Sequence, residues 1–482
     1  MLSGIFVTLQ QLFKAARFWM ETLKRHKKRA FLCKVLVITR ILCNFVRSKK
    51  QNTTVNTMYY KRMIGCLLMA ATISGAFAQG GTKSPYSQFG LGALGDYSQS
   101  MSRGMNGVGY GLRQGNQVNT LNPASYAGVD SLTMLFDMGL SGQTTNFKEG
   151  GVSRNASMAA FEYVAASFRA WKNVGVSFGV LPFTNVGYDY QTKSRSSETG
   201  TVSETYTGSG GLHQVFLGVG GRVVKGLSVG VNAAYLWGSI DRSVTPSAST
   251  ASNSLTKKYS TNITNYKLDF GVQWEQSLSK RDQLTIGAVV GVGHNLKNTA
   301  SMSIMKYNSA SSKTDTTTFS VGDAMALPMS YGVGVAYKHD GRLTLAADYS
   351  LEQWGKVDIP GYQGGTYQKL SGQMKDRHRV VAGLDWTPNP MGRKYMDFVH
   401  YRVGVGYATP YYNINGQDGP KELSASIGVA LPIINSYNNR SVLNISGQWV
   451  RSKADGFITE NTFRINVGIT FNERWFMKWK ID

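Results

Sequence analysis

Tyr266-Lys267-Leu268-Asp269-Phe270-Gly271-Val272-Gln273-Trp274-Glu275 decides the fold. Every second residue is apolar or aromatic, and those between are charged, amide or glycine. A period of two belongs to an extended strand, whose side chains alternate between two faces. Soluble strands usually run ~5–6 residues, whereas a tilted strand crossing a bilayer needs about 9–11. Leu227 to Trp237 and Phe463 to Phe471 repeat the pattern. Hydrocarbon offers the backbone no partners, so such strands must close on themselves.

Fourteen segments of this kind are expected, centred near residues 136, 163, 178, 216, 232, 270, 288, 333, 346, 382, 404, 427, 445 and 467. The fold class is therefore all-β: a 14-stranded antiparallel transmembrane β-barrel, even-numbered as bacterial barrels are. Short connections (Trp171-Lys172-Asn173, Lys225-Gly226, Lys280-Arg281-Asp282, Lys338 to Gly341) alternate with long polar stretches at 191–210, 243–257 and 353–371. Barrels of this class have short periplasmic turns and longer outer loops. The first strand then runs outward and the last ends in the periplasm. Trp237, Trp274, Tyr407, Trp449 and Trp475 sit near strand ends, where aromatic girdles belong.

The front of the chain reads differently. Met58 to Arg62 is a short basic start, Met63 to Ala78 carries no charge, and Ala76-Phe77-Ala78 precedes Gln79. That is a secretory signal peptide over 58–78. The mature N-terminus is expected at Gln79; recovering peptides from residues 1–57 in outer-membrane protein would overturn this. Residues 1–57 fit a start assigned too early, the alternative being a basic amphipathic helix on a membrane surface. They hold twelve Lys/Arg against one Glu, so much of the chain's +24 sits in the leader. The rest has no basic block, which argues against nucleic acid as a partner. All three cysteines precede residue 79, excluding disulfides and thiolate metal sites beyond it.

Residues 79–130 are rich in Gly, Ser and Asn without sustained alternation. They form either a tail or a plug. Phe89, Leu91, Leu94, Met101, Met105, Val108 and Tyr110 give enough apolar content to pack, which favours a hatch in the lumen, with the barrel over 131–482. Gly90-x-Gly92-x-x-Gly95 lacks the strand and helix of a dinucleotide site. Gly175 to Gly179 matches a nucleophile elbow, but Val174, Val176, Phe178 and Val180 carry a strand straight through it. The histidines are scattered. No catalytic residue, metal site or cofactor is expected, and the chain is not read as an enzyme.

Three stretches together resemble the FadL-type long-chain fatty-acid and hydrocarbon transporters. These are Asn122-Pro123-Ala124, Ala326-Leu327-Pro328 through Tyr337 and on to Trp354, and Asp376 to Gly383 followed by Tyr401 to Tyr407. The resemblance spans roughly residues 84–482. It implies a barrel with an N-terminal hatch in a Gram-negative outer membrane, and passive uptake of hydrophobic molecules. It also implies a kink in strand 3 that opens the wall beside the hatch. The matching strand contains Leu181-Pro182-Phe183. Proline removes a ladder donor, so Pro182 marks broken pairing, or else a strand end near a loop. The expected gate is Asn122, Pro123, Ala124, Leu181, Pro182 and Phe183, with Asn122 as partner to a freed carbonyl near Pro182. A bulky residue at Gly179 is expected to close the gap. Expected partners are a hydrophobic ligand, outer-membrane lipids and, during biogenesis, the barrel-assembly machinery; the barrel is read as a monomer. The competing reading is a structural or interaction barrel with no transported ligand.

Overall fold

The computed structural model describes residues 82–196, 200–248, 254–308, 310–433 and 441–473. The leader 1–57, the signal segment 58–78, the Gln79 terminus and Trp475 lie outside these residues.

Fourteen strands form the wall: β1 (Met134–Glu149), β2 (Val152–Trp171), β3 (Val174–Ser196), β4 (Gly200–Val224), β5 (Leu227–Ala248), β6 (Ser254–Ser277), β7 (Asp282–Gly291), β8 (Ser330–His339), β9 (Leu343–Glu352), β10 (Arg377–Trp386), β11 (His400–Ala408), β12 (Lys421–Ile433), β13 (Ser441–Lys453) and β14 (Thr459–Glu473). Each pairs antiparallel with its sequence neighbours. The wall closes where β1 meets β14, from Met134↔Glu473 to Lys148↔Thr459. All fourteen expected centres fall inside these strands.

The alternation sorts the faces as the sequence required. Tyr266, Phe270, Val272 and Trp274 are exposed outward, while Gln273 is fully buried on the lumen side. Tyr235, Tyr266, Tyr331, Tyr349, Tyr407 and Trp449 ring one end of the outer surface, and Trp171, Trp274 and Trp386 the other. On β6 the two girdles are separated from Tyr266 to Trp274, roughly 27 Å of strand. At a tilt of ~40° that is about 20 Å of bilayer. A closed wall with such a band spans a Gram-negative outer membrane.

Two expected outer loops are strand instead. β3 runs to Ser196 and β4 begins at Gly200, so residues 191–196 and 200–205 are a ladder from Gln191↔Thr205 to Ser196↔Gly200. Residues 243–248 and 254–257 likewise extend β5 and β6. Above the bilayer both faces are wet, so apolar alternation stops although Thr, Tyr and Val still favour pleated backbone. Loss of alternation there signalled the edge of the membrane, not the end of the strand. Asn298–Asn308 and Lys313–Gly322 pair with each other and, through Asn298 to Tyr307, with the outer half of β6, raising the wall further on that side. By contrast β8–β11 have only nine or ten residues each.

Candidate functional site

The segment before β1 touches lumen-facing side chains around the wall. It contains turns at Pro85–Gln88, Ser100–Arg103 and Pro123–Gly128 and a two-residue strand, Ala93–Leu94. Ser100 Oγ donates to Asp137 of β1 at 2.8 Å. Asn106 Nδ2 donates to Ser424 Oγ of β12 at 2.7 Å. The Gly109 and Tyr110 N–H groups donate to Asp348 Oδ2 of β9 at 2.6 and 2.9 Å. Tyr126 donates to Asn232 Oδ1 of β5 at 3.0 Å. Partners on so many strands place this segment inside the lumen.

Three charges occur between Ser84 and Val129: Asp96, Arg103 and Arg113. Arg103 is 3% exposed. Its guanidinium donates to Glu162 Oε2 at 3.0 Å, to Asn466 Oδ1 at 3.1 Å, and to the Ser98 and Asp96 carbonyls. Burial pushes the Asp96 carboxyl up, but Arg103 and Arg379 and two hydrogen bonds from Ser98 hold it below the usual carboxylate range. Arg113 reaches Ser228 Oγ on β5 at 2.9 Å. The signal for this network was visible in the sequence: three charges in an otherwise neutral stretch.

The wall is shaped to the hatch. A Cβ on Gly271 would lie 2.2 Å from Asn122 Oδ1, one on Gly175 would lie 1.9 Å from the Tyr126 carbonyl oxygen, and one on Gly404 would lie 2.3 Å from the Met105 carbonyl carbon. Glycine at these inward positions permits close backbone approach.

Of the expected gate residues, Asn122 caps the turn Pro123–Gly128. Its Oδ1 accepts from Ala124 N at 3.0 Å, and its Nδ2 donates to the Tyr110 carbonyl at 2.9 Å and the Val272 carbonyl of β6 at 3.1 Å. Asn122 and Ala124 are fully buried. Leu181 and Phe183 are each 3% exposed. Leu181 and Phe183, with Leu94, Tyr97, Leu121 and Phe216, line a cavity of about 120 Å³ in the lumen. The proposed pairing of Asn122 with the carbonyl near Pro182 is corrected: the Asn122 amide is spent on its cap, on Tyr110 and on β6. The free carbonyl belongs to Phe183 and accepts from Gly95 N at 2.9 Å and Tyr97 Oη at 3.2 Å.

At Pro182 the ladder slips. Pro182 pairs with His213 and Thr184 with Leu212, leaving Phe183 as a bulge. Pairing between β2 and β3 runs only from Trp171↔Val174 to Val164↔Val180. Beyond that, the hatch strand takes the β3 edge through Ala93↔Asn185 and Leu94↔Thr184, and β2 from Val152 to Tyr163 is paired on the β1 side only among the named ladders. Between the two strands lies a cavity of about 830 Å³. The hatch start enters it: Thr82, Lys83 and Pro85 line it beside Arg154 to Met158 and Val186 to Tyr190. Gly179 is not at this gap. It pairs with Ala165, and a Cβ there would lie 2.3 Å from the Val164 carbonyl oxygen. A bulky residue would disrupt the last paired turn instead of closing the seam.

A family model described as BamG matches residues 58–482. Among solved structures, the CymD monoaromatic hydrocarbon channel is 15% identical, with a TM-score of 0.54 over 80% of this chain and 99% of that one. A Pseudomonas aeruginosa FadL homologue is 12% identical, with a TM-score of 0.55 over 79% and 99%. The Ralstonia pickettii toluene transporter TbuX is 16% identical, with a TM-score of 0.54 over 80% and 99%. Identities this low establish the shared barrel alone. No curated protein sequence matches.

Proposed function

The chain belongs to the BamG family, and on that premise we propose that it passes small hydrophobic molecules through the outer membrane, releasing them sideways at the β2–β3 seam. The observation that carries this reading is the unpaired stretch beyond Val164↔Val180, with its cavity of about 830 Å³. The hatch closes the straight route down the lumen. A lateral exit spares an apolar solute the polar mouth. The cavity of about 120 Å³ lined by Leu181 and Phe183 lies on the lumen side of the same kink. In this reading Pro182 and Phe183 hold the kink, and Asn122 to Ala124 anchor the hatch that backs it.

Two variants test the route. Ala156→Trp fills the cavity from the β2 side, and Pro182→Val restores a ladder donor. Each is expected to slow uptake of a radiolabelled monoaromatic hydrocarbon several-fold while the barrel still folds. Normal uptake by both at equal surface abundance would send the ligand elsewhere.

A second reading has its own support. The family carries the name of barrel assembly, and the lumen is held shut by buried bonds from many strands. The outer wall also rises well above the belt on one side, as an interaction surface would. In that reading the protein serves the barrel-assembly machinery as a partner and transports nothing. Depletion would then lower the folded amount of other outer-membrane barrels, with hydrophobic uptake unchanged; the reverse pattern supports transport.

A further inference from the structure

The lumen cavity at the kink has two unlike walls, and strand order keeps them apart. On the β3–β5 side Leu181, Phe183, Phe216 and Ala234 line it, with Leu94 and Leu121 of the hatch beside them. Gln214 and Asn232 add two neutral amides there, and Asn232 is already bonded to Tyr126 and the Thr120 carbonyl. The charged lining residues, Lys267, Asp269 and Glu352, all lie on the β6–β9 side, with Ser330 between them. Their strands turn these side chains inward. Tyr266, Phe270 and Tyr331, next to Lys267, Asp269 and Ser330, are the ones exposed on the outer surface. Glu352 shares its face with Asp348, which accepts from the hatch backbone. The volume of about 120 Å³ is the size of one ring: an apolar cavity of about 150 Å³ holds a single benzene.

The charges on the far wall are set against an anion. Lys267 Nζ donates to Asp269. Glu352 Oε2 accepts from Trp354 Nε1 at 2.7 Å, and its Oε1 lies 3.8 Å from Arg377 Nη1. Arg377 does not line the cavity and sits closer to Glu422, at 3.2 Å. The cavity therefore presents two carboxylates and one ammonium, and a carboxylate already holds that ammonium. The side chains of Lys267, Asp269 and Glu352 are 20%, 18% and 22% exposed, enough for a ligand to reach them. A ligand carboxylate would bring a third negative charge and meet no free cation. A plain hydrocarbon would suit the apolar wall but displace water from the carboxylates without replacing its hydrogen bonds.

We propose that this cavity selects a single-ring aromatic molecule carrying one neutral hydrogen-bond donor, an aromatic alcohol, over both aromatic hydrocarbons and aromatic acids. The ring packs on Phe183 and Phe216, and the hydroxyl donates across the lumen to Asp269 or Glu352. A hydroxyl bonded to a carboxylate is charge-assisted, and so stronger than a bond between neutral groups. The inference rests on the transport reading and narrows its substrate: the volume sets one ring, and the far wall sets the polarity.

The test uses the full mature protein in nanodiscs. Radiolabelled benzyl alcohol, toluene and benzoate are each equilibrated across a dialysis membrane against it and against empty discs. The wild type is expected to bind one benzyl alcohol per barrel, roughly tenfold or more tighter than toluene or benzoate, the weight of one hydrogen bond to a charged group. Ala234→Phe fills the cavity from the apolar wall and should abolish binding. Asp269→Asn with Glu352→Gln removes both carboxylates and frees Lys267, so benzoate should overtake benzyl alcohol. Heat-modified gel mobility reports that each variant is folded. Equal affinity for the three compounds, a wild-type preference for toluene or benzoate, or an unchanged order in the double variant overturns the proposal. The two readings fail separately. Benzyl alcohol bound as expected but not taken up by cells removes transport and leaves the site. Seam-dependent uptake of toluene with no preference for the alcohol does the opposite.

Discussion

Arg103→Leu is expected to destabilise the folded barrel by about 3–5 kcal/mol, the cost of leaving one partner of a buried pair alone. Glu162 is 12% exposed at its side chain and faces Arg103 at 3.0 Å. Its second oxygen accepts from Ser141. Leucine removes the positive charge and four donated bonds, leaving Asn466 Oδ1 and the Ser98 and Asp96 carbonyls without the donor they now use. The cost is not simply that of one ion pair, because Arg103 also lies over the Tyr163 ring at 5.5 Å. Urea unfolding followed by gel mobility measures it. Glu162→Gln in the Arg103→Leu background should recover part of the loss, since it removes the orphan charge. A single variant within about 0.5 kcal/mol of wild type, the range of ordinary surface changes, would show that the hatch is not held by this pair.

Deleting residues 82–125 is expected to turn a closed barrel into an ohmic pore. The wall does not depend on the hatch for its closure, since β1 and β14 pair over fifteen positions of their own. What the hatch supplies is filling. Without it the lumen is lined by glycine and by polar groups such as Asn232, Gln273, Asp348 and Arg402, which water wets readily. Single-channel recording in planar bilayers should give stepwise conductance for the deletion and none for the intact chain. Equal conductance of the two would mean that the segment does not block the lumen.

Much of the fold was legible because a membrane wall writes a period of two into each strand. Phe463, Ile465 and Val467 must face lipid, and their neighbours must not. The outer ladders at 191–210 were missed for the converse reason: once water meets both faces, nothing forces the pattern. The site was less legible. Pro182 showed where the ladder fails, because a missing N–H acts locally. Which group answers Phe183 depends on how the hatch folds back, and Gly95 and Tyr97 carry no motif. Asn122 was read as a free amide, but its place before Pro123 made it a cap, a use open to any Asn at a turn start. Gly179 lay three residues from the kink in sequence yet inside the last paired stretch.

The inward glycines also fix an order of events. Met105 sits against Gly383 of β10 and Gly404 of β11, and Ser100 against Gly468 of β14, so the hatch meets strands up to the last. The hatch is threaded from Tyr86, bonded to Ile458 at the outer end of β14, down to β1 at the opposite end. A plug so closely fitted to the finished cylinder cannot slide in afterwards without forcing the wall apart. It has to be present while the sheet curls, as a mandrel is present while a tube is rolled around it. The hatch is therefore enclosed as β14 closes on β1, and a larger residue at Met105 would press on Gly383 and Gly404, almost three hundred residues later.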